Sequence, residues 1–146
     1  MPAAAGFCDR FRPLALTLLR LAVGVVFLYH GSVKVNNFAA TASSFVHMGF
    51  PGWVGYIIGP LEAIGGILLI LGLFSRLFGL LLAGDMLVAL LKVALPAGPI
   101  THVMRYSDVM VLSAMSFLIF AYGPGPISLD RLRSGRSKTR STKATA

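Results

Sequence analysis

The sequence has few charged residues for a protein of its length. Only 12% of its 146 residues are Asp, Glu, Lys or Arg, whereas soluble domains typically carry about 25%. Hydrophobic residues make up 56% of the chain, and the mean hydropathy is +0.81. This composition excludes an ordinary soluble domain and predicts an integral membrane protein. A chain this short has room for one compact bundle and no second domain of useful size.

Cysteine and acidic residues are also scarce. The single cysteine, Cys8, excludes an internal disulfide or a C-x-x-C dithiol relay. There are 5 acidic against 13 basic residues, giving a net charge of +8. Much of the basic excess follows Asp130 with no aromatic residue beside it, so we predict membrane-lipid contact rather than a nucleic-acid partner. The sequence predicts no metal site.

Apolar runs separated by turn residues predict four transmembrane helices, each long enough to approach the roughly 30 Å hydrocarbon thickness. Residues 1–13 are interpreted as a cytoplasmic N-terminal segment, because the first run is followed by no A-x-A-like cleavage site. Residues 127–146 are predicted to be a basic, disordered cytoplasmic tail. The predicted membrane domain covers residues 14–126, with spans at about 14–30, 54–73, 77–95 and 108–123.

A weaker pattern lies between the first two spans. Phe38, Thr41, Phe45 and Met48 repeat at helical spacing among polar residues, which predicts a short amphipathic helix lying on the membrane. The predicted fold class is therefore all-α: a four-helix transmembrane bundle with an interfacial helix between spans 1 and 2. With four spans, Arg10, Arg12, Arg76 and the basic tail all lie on the same side of the membrane. The positive-inside rule therefore places both termini in the cytoplasm.

Glu62 is the most informative residue, because it lies inside the second apolar run. Eight Leu or Ile residues between Leu61 and Leu73 favour membrane insertion by roughly 0.3–0.6 kcal/mol each, whereas a central carboxylate costs roughly 2.5–3.5 kcal/mol. The two contributions nearly cancel. Glu62 should therefore face other helices, a counter-ion or water rather than lipid.

Comparing depths along the predicted helices gives two polar layers. The outer layer contains Glu62, with Lys92 as the expected partner, His30 and, less securely, Lys34. The inner layer is expected to pair Arg20 with Asp85, although Arg20 could instead extend toward the inner headgroups. A candidate outer rim contains His102, Arg105, Tyr106 and Asp108. Asp108 also has a simpler interpretation as a favourable charge near a helix N-terminus.

These residue types fit a quinone site better than a haem site. A quinone site requires an apolar cleft with hydrogen-bond donors or proton carriers, and His30, Glu62, Lys92 and Tyr106 are suitable types. A haem would need His30 and His102 as axial ligands, and two interfacial histidines in different segments are poor evidence for one. No cofactor is certain from the sequence, and quinone is the candidate.

Several motifs together resemble the DoxX family of small four-helix bacterial membrane proteins. They are LLRLAVGVVFLYHGSVKV, SFVHMGFPGW, GPLEAIGGILLILGLFSR and GPGPISLD, which run from Leu18 to Asp130. The most specific parts are the spacing of Arg20, Gly31 and Lys34, the Glu62-x-x-Gly-Gly core and the final GPG-x-x-SLD. Asp108, in place of a glutamate, and Asp85 depart from the pattern.

The resemblance implies a bacterial inner-membrane protein. DoxX-like proteins are associated with membrane oxidoreductase systems, including quinone-linked ones, so a subunit or accessory of such a system, with protein partners, is expected. The alternative is a structural or assembly subunit without catalysis of its own, which packs against larger proteins through glycine faces. A small transporter is a third possibility, although four helices would need to oligomerise. Whether the chain is an enzyme stays open, and no catalytic residue is assigned.

Overall fold

The computed structural model describes residues 2–94 and 103–131, with side chains described for residues 11–93 and 107–131. Within these residues the chain is helical and contains no strand, which confirms the all-α prediction. The helices are α1 (Pro2–Asn36), α2 (Phe38–His47), α3 (Trp53–Leu71), α4 (Ser75–Ala89) and α5 (Val103–Tyr122), and a π-helical turn, Leu90–Ala94, continues α4.

The boundaries of α1 and α4 differ from those of the first and third predicted spans. Helix α1 has 35 residues, about 52 Å at 1.5 Å per residue, so it continues beyond residues 14–30 in both directions. Part of the predicted N-terminal segment is thus helical. Helix α4 changes to π-helical geometry at Leu90 instead of continuing regularly to residue 95. Residues 127–131 of the predicted disordered tail are instead structured, with a helical turn at residues 129–131. The rest of the predicted tail lies outside the described residues.

Two of the described helices are long and apolar enough to cross a membrane, Phe11–Asn36 and Trp53–Leu71, and Ser107–Tyr122 is a shorter apolar helix. The helical bundle is established, whereas four as the number of membrane spans stays a prediction. The predicted short helix is present as α2, which packs on the start of α3. The rings of Phe38 and Tyr56 stack there with centroids 5.2 Å apart.

Helices α1 and α3 form a tight antiparallel pair. A Cβ atom on Gly66 would lie 2.5 Å from the backbone nitrogen of Leu28, so only glycine permits this distance between the two backbones. Helices α4 and α5 form a second antiparallel pair, in which a Cβ on Gly79 would lie 2.9 Å from Phe120 N. The Ser113 hydroxyl also donates to Ala83 O at 3.1 Å. Small residues therefore set the spacing within each pair.

The distribution of side chains is that of a membrane protein. The buried core cluster is small and comes from all four long helices: Val23, Phe27, Leu69, Leu82, Met86 and Ile119. Charged Arg20 and Glu62 are buried with it, while many Leu, Ile, Val and Phe side chains are exposed around the bundle. A surface with this many exposed apolar side chains is suited to contact with the hydrocarbon of a lipid bilayer.

Candidate functional site

Glu62 lies at the centre of the bundle and pairs with Lys34. The Lys34 ammonium nitrogen donates to both carboxylate oxygens, at 2.6 Å to Oε1 and 2.5 Å to Oε2. The Glu62 side chain is 0% exposed, whereas that of Lys34 is 26% exposed. Glu62 therefore faces a counter-ion rather than lipid, as its position in an apolar run requires.

The geometry of α1 explains why Lys34 supplies the cation. Helix α1 continues without interruption to Asn36, so Lys34 follows Gly31 by about one turn on the same side. At Gly31 a side chain would collide with the backbone of Ala63, and α1 therefore crosses α3 at the level of Glu62. One turn further, Lys34 lies against Gly59, from which its side chain reaches back to the carboxylate.

Asp85 of α4 completes a cluster of three ionisable groups. Its carboxyl lines the same cavity as Lys34 and Glu62, and its buried Oδ2 atom has no hydrogen-bond partner. The cluster of Lys34, Glu62 and Asp85 therefore places two carboxyl groups beside one ammonium group inside the bundle.

An apolar cavity of about 260 Å³ ends at this cluster. Phe45, Met48 and Phe50, from α2 and the turn after it, form one wall. The remaining apolar side chains come from α3, α4, the π-helical turn and α5: Val54, Ile58, Met86, Val88, Ala89, Val93 and Val109. The site thus combines a small apolar chamber with three convergent polar groups, the usual composition of a small-molecule site.

The expected pairing of Glu62 with Lys92 is wrong. Lys92 lies in the π-helical turn and is exposed, and Lys34 contacts both oxygens of Glu62 instead. His30 is also exposed and is outside the cluster. It borders a separate groove of about 450 Å³ between α1 and α5, together with Ser107 and Asp108.

The expected pairing of Arg20 with Asp85 is wrong as well. Arg20 is 3% exposed and donates to backbone carbonyls of the segment after α5, to Pro124 O and, at 2.7 Å, to Ile127 O. Asp85 instead lies level with Glu62. The sequence contained this information: Glu62 precedes Leu73, in the tight turn, by 11 residues and Asp85 follows it by 12, so both lie about 16–18 Å from that turn.

The final SLD motif has a structural role that the sequence did not indicate. The Asp130 carboxylate accepts hydrogen bonds from Phe74 N at 2.9 Å and Ser75 N at 3.0 Å, and thus satisfies free N–H groups at the start of α4. Ser128 Oγ donates to Gly125 O at 3.2 Å. The segment 123–130 therefore fastens the end of the bundle where α3 turns into α4, which we call the hairpin end.

The candidate outer rim is described only in part. Asp108 is exposed near the start of α5, while His102 and the side chains of Arg105 and Tyr106 lie outside the described residues. Among the described side chains, no group of three His, Cys, Asp or Glu residues could hold a metal ion.

Comparison with known proteins agrees with this architecture. The family model DoxX matches residues 15–95, a range that contains the whole cluster. The chain is 36% identical over 80 residues to "Putative oxidoreductase CatD" of Bacillus subtilis, covering 55% of this chain and 60% of that protein. It is 32% identical over 129 residues to an uncharacterized protein of Haemophilus influenzae, covering 84% of this chain and 92% of that one.

A further relative is "Inner membrane protein YqjF" of Escherichia coli, with 27% identity over 124 residues, 84% of this chain and 95% of that protein. The chain thus spans less than two thirds of the length of the Bacillus protein but nearly the full length of the other two. No solved structure matches the chain.

Proposed function

This chain belongs to the DoxX family, as an integral protein of the bacterial inner membrane, and we propose that it is a quinone-binding accessory subunit of a membrane-associated oxidoreductase system. The observation that carries the proposal is the apolar cavity that ends at Lys34, Glu62 and Asp85. The positive-inside rule supports a cytoplasmic location for both termini.

The cavity suits a single substituted ring. Its volume of about 260 Å³ is slightly below the range of about 300–1,000 Å³ for pockets that enclose drug-sized ligands, so it would take a quinone ring and leave a long tail in the lipid. Valine, isoleucine, methionine and phenylalanine side chains supply apolar walls. Asp85 Oδ2, which is unpartnered, would donate to a ring oxygen when it carries a proton.

The cluster offers protons where a ring oxygen would need them. Conversion of a quinone to a quinol takes two electrons and two protons, and we assign the electrons to a partner enzyme. A protonated Asp85 would give one proton to a ring oxygen, and the second proton would enter from the surroundings beside the partly exposed Lys34. Lys34 offsets the negative charge that proton loss leaves on the two carboxyl groups. Its partial exposure gives the cluster contact with the surroundings for reprotonation.

The name of the Bacillus relative supports an oxidoreductase context for that protein, and we extend this context to the present chain as part of the proposal. A purely structural role through outward glycine faces has less support. Gly59, Gly65 and Gly66 are buried and lie against Lys34, Leu82 and Leu28 of this same chain. These glycines are used for packing within the bundle.

The proposal can be tested by filling the cavity. Ala89 lines it, whereas Ala114 is exposed on α5 and does not. We expect the full-length protein in detergent to bind duroquinone saturably, at one molecule per chain, in equilibrium dialysis corrected with protein-free micelles. Duroquinone has no free ring position for Cys8 to attack. Ala89→Phe should weaken binding by about tenfold or more, equivalent to at least about 1.4 kcal/mol.

Ala114→Phe is the matched control, because it adds the same side chain on the bundle surface. It should bind duroquinone as the parent protein does. Equal affinities for the two variants, or binding no greater than partition into empty micelles, would contradict a quinone site in this cavity.

A further inference from the structure

A second and larger recess lies at the hairpin end, remote from the cavity of the cluster. It has a volume of about 1010 Å³. Three arginines from separate parts of the chain border it: Arg12 of α1, Arg76 of α4 and Arg131 after the SLD motif. All three are exposed. We call this the arginine recess.

The charge of the arginine recess is strongly unbalanced. Asp130 is the acidic residue among those that line it, and both of its carboxylate oxygens already accept backbone hydrogen bonds from Phe74 and Ser75. The lining thus contains three guanidinium groups and one carboxylate, and that carboxylate caps α4. The local field favours an anion.

The chemistry of the lining selects among anions. Guanidinium groups bind phosphate oxygens with paired, charge-assisted hydrogen bonds, and three arginines around one space suit a phosphate or phosphodiester. Leu16, Leu77 and Tyr122 form an apolar part of the same lining. Exposed Leu80, one turn after Arg76 on the same face, continues the apolar surface along α4. A phosphate alone would use only the arginines, whereas a phospholipid would use both surfaces.

We propose that the arginine recess binds the phosphodiester headgroup of one anionic phospholipid, with its acyl chains lying on the apolar surface of α4. The position fits a lipid, because the recess lies at an end of the bundle where the exposed apolar side chains meet a basic segment. Basic pockets at the ends of transmembrane helices bind anionic headgroups by this combination of charge and apolar contact. This inference is independent of the quinone site.

The test compares two lipids that have the same acyl chains and phosphodiester but an anionic or a zwitterionic headgroup. Dihexanoylphosphatidylglycerol and dihexanoylphosphatidylcholine are titrated into the full-length, detergent-purified protein, and bound lipid is counted by native mass spectrometry. We expect one phosphatidylglycerol to bind per chain, at least about tenfold more tightly than phosphatidylcholine, and to raise the Tm. Inorganic phosphate at the same concentration should neither raise the Tm nor displace the lipid.

Arg76→Gln and Lys92→Gln form a matched pair, because each removes one exposed positive charge and only Arg76 lines the recess. Arg76→Gln should weaken phosphatidylglycerol binding about threefold to tenfold, and Lys92→Gln should leave it unchanged. Equal binding of the two lipids by the unaltered protein would overturn the proposal without any variant. So would equal losses in the two variants, or displacement of the lipid by inorganic phosphate, which would indicate a site for the free ion.

Discussion

The bundle buries charge in two places, and it satisfies that charge differently in each. At the hairpin end, the Arg20 guanidinium is fixed by two backbone carbonyls of the segment after α5. Half-way along α3, Glu62 accepts from the ammonium group of Lys34, and Asp85 keeps an unpartnered oxygen beside the same cavity. Arg20 Nε is also unpartnered, but Arg20 does not line that cavity. The first arrangement can hold helices together, whereas the second can also exchange a proton with a ligand.

The largest effect should follow loss of Arg20. Arg20→Met keeps much of the apolar stem but leaves Pro124 O and Ile127 O without their donor. Each hydrogen bond from a charged donor contributes about 1.5–3 kcal/mol, so we expect a loss of about 3–6 kcal/mol in the free energy of unfolding. Reversible unfolding in mixed micelles, followed by far-UV circular dichroism, would measure it.

Duroquinone binding by the fraction of Arg20→Met that is still folded should match that of the parent protein, because Arg20 does not border the cavity. A loss of ligand affinity as large as the loss of stability would mean that the two regions are not separable. Arg20→Lys is the conservative control, and it should recover part of the stability, because one ammonium group can replace one of the two donated bonds.

Lys34 should have the next largest effect. Lys34→Met leaves the fully buried Glu62 without its cation, and breaking a buried pair in this way costs about 3–5 kcal/mol unless the carboxyl takes up a proton. Proton uptake would reduce the loss, so we expect about 2–3 kcal/mol. Lys92→Met removes an exposed charge and should change stability by less than about 0.5 kcal/mol.

The double variant Lys34→Met/Glu62→Gln tests whether the loss comes from the unpaired carboxylate. It should be more stable than Lys34→Met alone, because the uncompensated charge is gone. Additive losses in the double variant would argue against direct coupling between the two residues. A loss in Lys92→Met equal to that in Lys34→Met would support the pairing that the structure contradicts.

The contrast between Lys34 and Lys92 illustrates what the sequence could predict. Apolar length, turn residues and the amphipathic repeat predicted the helices, because those features depend on local properties of the chain. The need for a counter-ion at Glu62 was predictable from the cost of a charge in lipid. The choice of cation depended on two non-local facts: α1 continues as a helix to Asn36, and Gly31 brings it against Ala63.

The error over Asp85 has a different origin. Counting residues on either side of Leu73 places Asp85 level with Glu62, so the correct layer could be read from the sequence. The role of Asp130 could not be read in the same way. Its carboxylate caps α4 across 55 residues of sequence, and the position of segment 123–130 depends on Arg20, which lies on another helix. Long-range contacts of this kind leave no periodic signal.

The smallest expected effect on stability, and the most specific effect on ligand binding, comes from Asp85. Asp85→Asn retains polar atoms beside the cavity, and Asp85→Leu has similar bulk without them. Because Asp85 Oδ2 makes no hydrogen bond in the unliganded chain, we expect both variants to unfold within about 1 kcal/mol of the parent protein. In equilibrium dialysis, Asp85→Leu should bind duroquinone about tenfold more weakly, and Asp85→Asn should bind it about as well as the parent. Similar affinities for all three proteins would remove Asp85 from the ligand site, and a large loss of stability in Asp85→Asn would place it with Arg20 as a structural charge.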